Sequence, residues 1–433
     1  MKARIAALSL TLAAPLTMVK AQAPADSLRL PALRAAALTN DPRTRELELL
    51  ASQSTLRLRN IDVELRPSFS FESQGQYQSA VASIPLELPG VSVPRPPHDT
   101  YDAKVIVQQR LYDPSTVARR ALERAQDAEA QARVRSTLYP ITESVTAAFF
   151  TALRSQTQIA ELETTLTDLE AQLAVASERV KAGTALRSEV NVLRAELLRR
   201  RQAVAEQKAA RRAAIAILSD LTGQRVDENA PLAAPELENE ATDARNRLAS
   251  LRARPEFEQF ARSRAVLEQM ENARVAQDRP RVLAFGRLGY GRPGLNPLNS
   301  KFDSYWLGGV QLQWNPFNWG TTQRDRQVNR LQREIVTSEE RAFIAQLTRA
   351  VEQDLASIDR LQSALADDDQ IIALRESILD ETRPRFREGV ITSAEYVDRQ
   401  TDVLSARISR ATHRVELAQA RAHLLTTLGI EVR

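Results

Sequence analysis

Two short stretches carry charge at matched spacing. Arg179-Val180-Lys181-Ala182-Gly183-Thr184-Ala185-Leu186-Arg187-Ser188-Glu189-Val190 and Arg385-Phe386-Arg387-Glu388-Gly389-Val390-Ile391-Thr392-Ser393-Ala394-Glu395-Tyr396 each set a base four residues before a glycine and a glutamate six after it. That spacing is turn chemistry: a left-handed glycine closes one helix before another opens. A solvated helix face is the plain alternative reading of each acid. Covalent chemistry has nothing to rest on. The chain has no cysteine, and its histidines, His98, His413 and His423, include no pair at metal-ligand spacing. It also lacks a Gly-rich phosphate loop, a nucleophile elbow and a zinc motif. Asp367-Asp368-Asp369 spreads around a helix axis instead of converging on a cation. No enzyme activity, metal or cofactor is expected.

Both turns sit between long helical patterns, and composition agrees. With 433 residues, 13 Gly and 5% aromatic residues, the chain reads as extended helix rather than as several compact domains. Its formal charge of +4 falls almost to balance without Lys2, Arg4 and Lys20, so nucleic acid is not an expected partner. Those residues flank the apolar run Ile5 to Met18 in an expected signal peptide (1–21), cleaved after Ala21 or Ala23. Later segments contain no run of 18 apolar residues, which excludes a membrane-spanning helix but not a β-barrel.

In chain order, Leu28 to Val63 reads as helix with a break at Asn40-Asp41-Pro42. Strands are expected at 68–78 and 101–112, joined by a proline-bearing loop, 79–100. A long helix, 115–182, capped by Asp113 or Ser115, would span roughly 100 Å. Its seam is Ile159, Leu162, Leu166, Leu169, Leu173, Ala176 and Val180, and a returning helix, 185–222, answers with Val190, Leu193, Leu197, Val204, Ile215 and Leu218. After a linker, 224–241, the plan repeats over 242–433: helix, strand 281–290, loop 291–304, strand 305–314, long helix 320–387, helix 392–428. Pro42, Arg66-Pro67 and Tyr77 recur as Pro255, Arg279-Pro280 and Tyr290 at one unbroken offset, so the first repeat spans 24–223 and the second duplicates it. The last helix carries a seam from Ala394 through Val397, Thr401, Leu404 and Ile408 to Leu425.

The first strand alternates Phe69, Phe71, Ser73, Gly75 and Tyr77 with Ser68, Ser70, Glu72, Gln74 and Gln76. The second sets Ala103, Val105, Val107 and Leu111 against Asp102, Lys104, Gln108 and Arg110, with Ile106 the exception on its polar face. Four strands per chain cannot close a useful barrel, so several copies would pool theirs, lipid outside and water inside. The third strand sets Leu283 and Phe285 beside Arg281 and Arg287 on the expected water face. The fourth is one residue out of phase with the second, which calls for a bulge or a different repeat alignment. Tyr101, Tyr112, Tyr290, Tyr305, Trp306, Trp314 and Trp319 lie at or near strand ends, as in a membrane-interface girdle; filling a soluble core is the other reading, and the wet opposite face favours the membrane.

With its Asn/Asp-Pro break, its junctions Leu111-Tyr112-Asp113-Pro114 and Trp314-Asn315-Pro316-Phe317, and its two glycine turns, the chain resembles the TolC-like outer membrane efflux proteins of Gram-negative bacteria. The resemblance implies a fold that is mainly α with a small β part: internally duplicated coiled-coil hairpins forming an α-barrel, and four strands contributing to a trimeric twelve-stranded transmembrane β-barrel. It implies an outer membrane location with a long periplasmic extension. The function implied is a passive conduit for tripartite efflux or type I secretion; a soluble periplasmic coiled-coil scaffold or adaptor is the alternative. Implied partners are two further copies in a homotrimer, outer membrane lipid, a periplasmic adaptor (membrane fusion) protein and an inner-membrane pump of RND or ABC type. The docking tips would be Lys181, Ala182, Gly183, Thr184, Ala185 and Leu186, and Arg387, Glu388, Gly389, Val390, Ile391 and Thr392. The periplasmic gate would consist of Glu189, Glu395 and Asp398, held by ion pairs drawn from Arg187, Arg385, Arg387 and Arg399. Phe386 and Ile391 stand where relatives have a tyrosine and an arginine in the latch.

Overall fold

The computed structural model describes residues 28–82, 95–246 and 253–431. The expected signal peptide lies outside these residues, as do Pro85, Pro89 and Pro94 of the expected loop. The elements are α1 (Leu30–Asn40), α2 (Thr44–Val63), β1 (Ser68–Tyr77), β2 (Asp99–Tyr112), α3 (Pro114–Lys181), α4 (Arg187–Thr222), α5 (Glu238–Asn246), α6 (Pro255–Gln277), β3 (Arg281–Arg292), β4 (Asp303–Gln313), α7 (Thr321–Arg387) and α8 (Ser393–Leu428). Two helices, two strands and a helical hairpin thus occur twice in the same order. Helix α5 starts at Glu238, inside the stretch read as linker.

Local chemistry sets the boundaries. Asp41, ahead of Pro42, is held extended at φ −61° and ψ 127°, where pre-proline crowding puts it, and α1 stops there. Asp113 turns β2 into α3, its carboxylate accepting from the Ser115 amide at 3.0 Å and from the Ser115 hydroxyl at 2.6 Å. Pro114 then takes the first helical position, where the missing N–H costs nothing. Leu186 is extended, so α4 opens at Arg187, two residues later than expected.

The strands form one antiparallel sheet in the order β1-β2-β3-β4. Its register puts Phe71, Val105, Leu288 and Trp306 in one cross-strand row, and Glu72, Lys104, Gly289 and Tyr305 in the next. Rows alternate between faces, so one face collects Phe69, Phe71, Tyr77, Tyr290, Val310 and Leu312 with that first row. The other is mostly polar. The pairing of β2 with β3 shifts between Arg110 and Tyr112. This bulge takes Leu111 out of the alternation expected of it and returns Tyr112 to the apolar face. It also accounts for the phase difference between the second and fourth strands, because β4 pairs with β3 without interruption.

Helices α3 and α7, of 68 and 67 residues, carry the chain roughly 100 Å from the sheet. Near mid-length a core of Leu30, Leu33, Phe149, Phe150, Ile215, Leu218, Leu424 and Leu425 joins α1, α3, α4 and α8. Arg34 is buried there without a carboxylate partner. It donates to the Thr146 hydroxyl at 2.6 Å and the Thr426 hydroxyl at 2.7 Å, and burial holds its pKa below the usual guanidinium value. Ala394, expected in the α8 seam, is exposed, and Ser393 and Tyr396 are buried in its place. The reason is that α8 packs on α3 as well as α7, so its buried stripe is wider than one seam.

Helices α7 and α8 are tied by His423, whose Nδ1 lies 2.8 Å from both Asp354 carboxylate oxygens, with the Thr427 hydroxyl on the same carboxylate at 3.2 Å. The Asp354 carboxylate raises the His423 pKa above 6.5 against the opposing effect of burial; Glu143 adds to the rise and Arg254 detracts from it. The imidazolium is thus the form the fold prefers. Its stabilisation is complete below the unfolded pKa and is lost as pH rises through the raised value. Amide exchange in the α7 and α8 segments around Asp354 and His423, corrected for its intrinsic pH dependence, should therefore quicken from about pH 6 to 8. In His423→Gln that extra rise should vanish.

Candidate functional site

The two turns have the same backbone geometry. At the first, the Gly183 amide donates to Val180 O at 3.1 Å and the Thr184 amide to Arg179 O at 2.9 Å; at the second, Gly389 donates to Phe386 O at 3.1 Å and Val390 to Arg385 O at 2.8 Å. Both glycines have φ +76°. Each pair of bonds satisfies the last carbonyls of a long helix and reverses the chain within a few residues. Thr392 caps α8, its hydroxyl accepting from the Glu395 amide at 3.2 Å. The turns leave Lys181, Ala182, Gly183, Thr184 and Leu186, and Arg387, Glu388, Gly389, Val390 and Thr392, exposed at the end of the hairpins, while Ala185 and Ile391 are half-buried.

The surroundings of the two turns differ. A Cβ at Gly183 would meet nothing within 4 Å, whereas one at Gly389 would lie 2.5 Å from Arg179 Nη2. Arg179 Nη1 donates to Phe386 O at 3.1 Å. The base of the first stretch is thus a strut against the second tip.

Behind the tips lies a layer that sequence reasoning did not single out. Tyr396 is fully buried, stacked on Phe386 with ring centroids 4.7 Å apart and planes 15° off parallel. Its hydroxyl donates to Asp168 Oδ2 at 3.0 Å, and Gln400 Nε2 donates to the same oxygen at 2.6 Å. Burial, and then the Asp168 charge, push the Tyr396 pKa up to about 12, while a hydrogen bond with Arg383 pulls the other way. Nearby, buried Arg200 donates to Glu196 Oε1 at 2.8 Å and to the Thr401 hydroxyl at 3.2 Å, joining α4 to α8. These bonds sit within an apolar cluster of Leu169, Leu193, Leu197, Leu379 and Val403. Phe386 and Ile391, in the positions expected to form the latch, therefore contribute packing instead of a hydroxyl and a charge. The available signal was the spacing Tyr396, Gln400, Val403, a second stripe on α8 beside the seam.

Glu395 and Asp398 are exposed on α8 and Glu189 is half-buried on α4; none forms an ion pair among the described residues. Of the expected ion-pairing bases, Arg399 reaches Asp402 at 3.6 Å, alongside Arg375 at 2.7 Å. Arg187, Arg385 and Arg387 have no carboxylate partner among the described residues. A single copy thus brings the acids and bases to one end without joining them. The expected girdle divides: Trp306 and Tyr290 lie on the apolar face, Tyr112 and Trp314 mark the helix-proximal end, and Trp319 follows in the turn before α7. Tyr305 departs from that expectation, because the register turns it to the polar face, where its hydroxyl donates to Asp102 at 2.5 Å.

Residues 248–430 match the family of outer membrane efflux proteins. No curated protein matches the chain in sequence. Among solved structures, CusC, described with transmembrane channel formation, superposes with a TM-score of 0.69 at 14% identity, over 93% of this chain and 92% of that one. The Vibrio cholerae outer membrane protein VceC gives 0.66 at 14%, over 93% and 97%. The open state of the Neisseria gonorrhoeae MtrE outer membrane channel gives 0.66 at 16%, over 94% and 90%. The resemblance read from the sequence is borne out: this is the fold of TolC-like channels.

Two outcomes follow from the tip geometry. Gly183→Ala should cost about 1 kcal/mol from the left-handed backbone alone, and Gly389→Ala clearly more, because its Cβ must also displace Arg179; protease resistance of each tip reads the difference. Tyr396 favours its protonated form when folded, so that stabilisation is complete below its unfolded value of 10.0 and lost as pH climbs towards about 12. Tyr396→Phe should weaken the tip by roughly 1–2 kcal/mol at neutral pH and abolish this alkaline loosening, measured by amide exchange in α8.

Proposed function

Taking the chain as a TolC-like outer membrane efflux protein, on the family match and the shared fold, we propose that it is a passive conduit from periplasm to exterior, working as a homotrimer. The observation that carries this is the sheet. Its apolar face is exposed in the single chain, with Phe69 at 73% and Trp306 at 77% of full exposure, and its outer strands β1 and β4 have no second neighbour among the described residues. Water would penalise the face and a bilayer would penalise the edges, so closure with other copies inside a membrane meets both demands. Three copies give twelve strands. From Tyr101 to Tyr112 the strand covers about 36 Å, or roughly 28 Å after tilting, which suits a bilayer's apolar band.

The helical hairpins then extend into the periplasm, and the exposed tips around Gly183 and Gly389 dock an adaptor that couples the conduit to an inner-membrane pump. Glu189, Glu395 and Asp398 ring the narrow end. Among the described residues they have no ion-pair partner in their own chain, and Arg187, Arg385 and Arg387 of a neighbouring copy would pair with them.

The mature protein should fractionate with outer membranes, run as a trimer resistant to SDS at room temperature, and conduct in planar bilayers. Release from the periplasm without detergent, together with a monomeric state, would replace this reading with that of a soluble scaffold. Glu395→Ala and Asp398→Ala should each raise conductance and weaken block by divalent cations. Unchanged conductance in both, alone and combined, rules out this gate.

A further inference from the structure

The polar face of the sheet is not uniformly polar. On β1 it is Ser68, Ser70, Glu72, Gln74 and Gln76, whereas β3 presents Arg281, Leu283, Phe285 and Arg287 in alternation. Ile106 of β2 and Leu307 of β4 flank Arg287 in the same row. The Phe285 ring lies across β4 over Gly309, where an added Cβ would come within 2.9 Å of it. The Arg287 guanidinium stands 6.0 Å from the centre of that ring.

Charge pairing separates these arginines from the other bases of the sheet. Lys104 lies 3.1 Å from Asp102 and 3.5 Å from Glu72, Arg110 is bonded to Glu64, and Arg292 reaches Asp99 at 2.8 Å. Arg281 and Arg287 have no carboxylate partner among the described residues. Six residues apart on one strand, they stand about 20 Å from each other with apolar side chains between. We infer that this side of β3 is a binding strip for amphiphilic organic anions, Arg287 taking the anionic head and Phe285 with Leu283 the apolar body.

An inorganic anion would use only the guanidinium and a neutral amphiphile only the apolar residues; the alternation serves a molecule with both. The inference rests on the conduit reading, which turns this face to the water-filled lumen. There the strip occurs once per copy and lines the exit path without closing it. Weak, multi-site contact of that kind allows a bound molecule to leave again.

The test uses the full-length mature protein in planar bilayers, with octyl sulfate below its micellar concentration as probe, and octyl glucoside and inorganic sulfate as controls. Octyl sulfate should reduce conductance reversibly while neither control does so at the same concentration. Arg287→Gln should raise the blocking concentration about tenfold, the loss expected for one charge-assisted contact, and shift the reversal potential in a KCl gradient towards cations. Leu283→Gln should weaken octyl sulfate block while leaving that reversal potential unchanged, so the apolar contribution is read apart from the charge. Block equal to that by inorganic sulfate, or block unchanged in Arg287→Gln, would overturn the strip while leaving the conduit intact. Absence of any conductance in the unmodified protein would instead overturn the conduit reading on which the strip depends.

Discussion

The structure depends on one requirement: backbone N–H and C=O groups on the outer strands of a sheet must find partners. In water an unpaired edge is a hazard, and in hydrocarbon each unmet group costs several kcal/mol. A four-stranded sheet with an apolar face satisfies neither solvent alone. On the proposed reading, assembly is therefore a demand of hydrogen bonding, ahead of any detail of the interface. The same requirement explains the long helices, since the internal peptide groups of α3 and α7, away from Pro140 and Pro384, are met within their own helix and the ends need caps. Asp113, Thr392 and the two glycine turns supply those at the ends that matter.

The elements were legible because their signals are local. Alternation marked the strands, the three-four spacing marked the seams, and Asp-Pro and glycine marked the junctions, each acting over a few residues. What escaped was decided by contacts between distant segments. The bulge at Leu111 follows from pairing β2 with β3, Tyr112 meeting Val282 far along the sequence, and only the phase difference with the fourth strand hinted at it. Tyr305 looked like its girdle neighbours until the register turned it towards Asp102. Asp168 carries no local signal of its role; that it accepts from Tyr396 and Gln400 depends on how α3 and α8 cross.

That buried layer also shows how the chain accommodates Phe386 and Ile391 at the tip. A phenylalanine cannot donate a hydrogen bond, but it stacks on Tyr396, and the hydroxyl ten residues later in sequence is directed at Asp168 instead. The polar contact is thus moved inside the chain, between hairpins of the same copy. Buried polar groups of this kind add modest net stability, yet they discriminate strongly between registers, because a misplaced carboxylate would lose both donors at once.

The attachment of the two hairpins is unequal. Helix α3 packs on α1, α2, α4, α6 and α8, while α7 packs chiefly on α6 and α8. Along its length α7 is bound to α8 by polar side-chain pairs: Asp354 with His423, Asp368 with His413, Asp369 with Arg410, Glu376 with Arg407 and Asp402 with Arg375. Towards the tip, α7 and α8 therefore behave as one rod held to the rest of the molecule mainly through α8. The side-chain hydrogen bonds that fix it there are few: Tyr396 and Gln400 on Asp168, Arg200 on Thr401 and Arg179 on Phe386. A rod with strong internal pairing and few external bonds moves as a unit when it moves. The candidate acids Glu395 and Asp398 lie on that rod, and Glu189 lies on the α3–α4 hairpin.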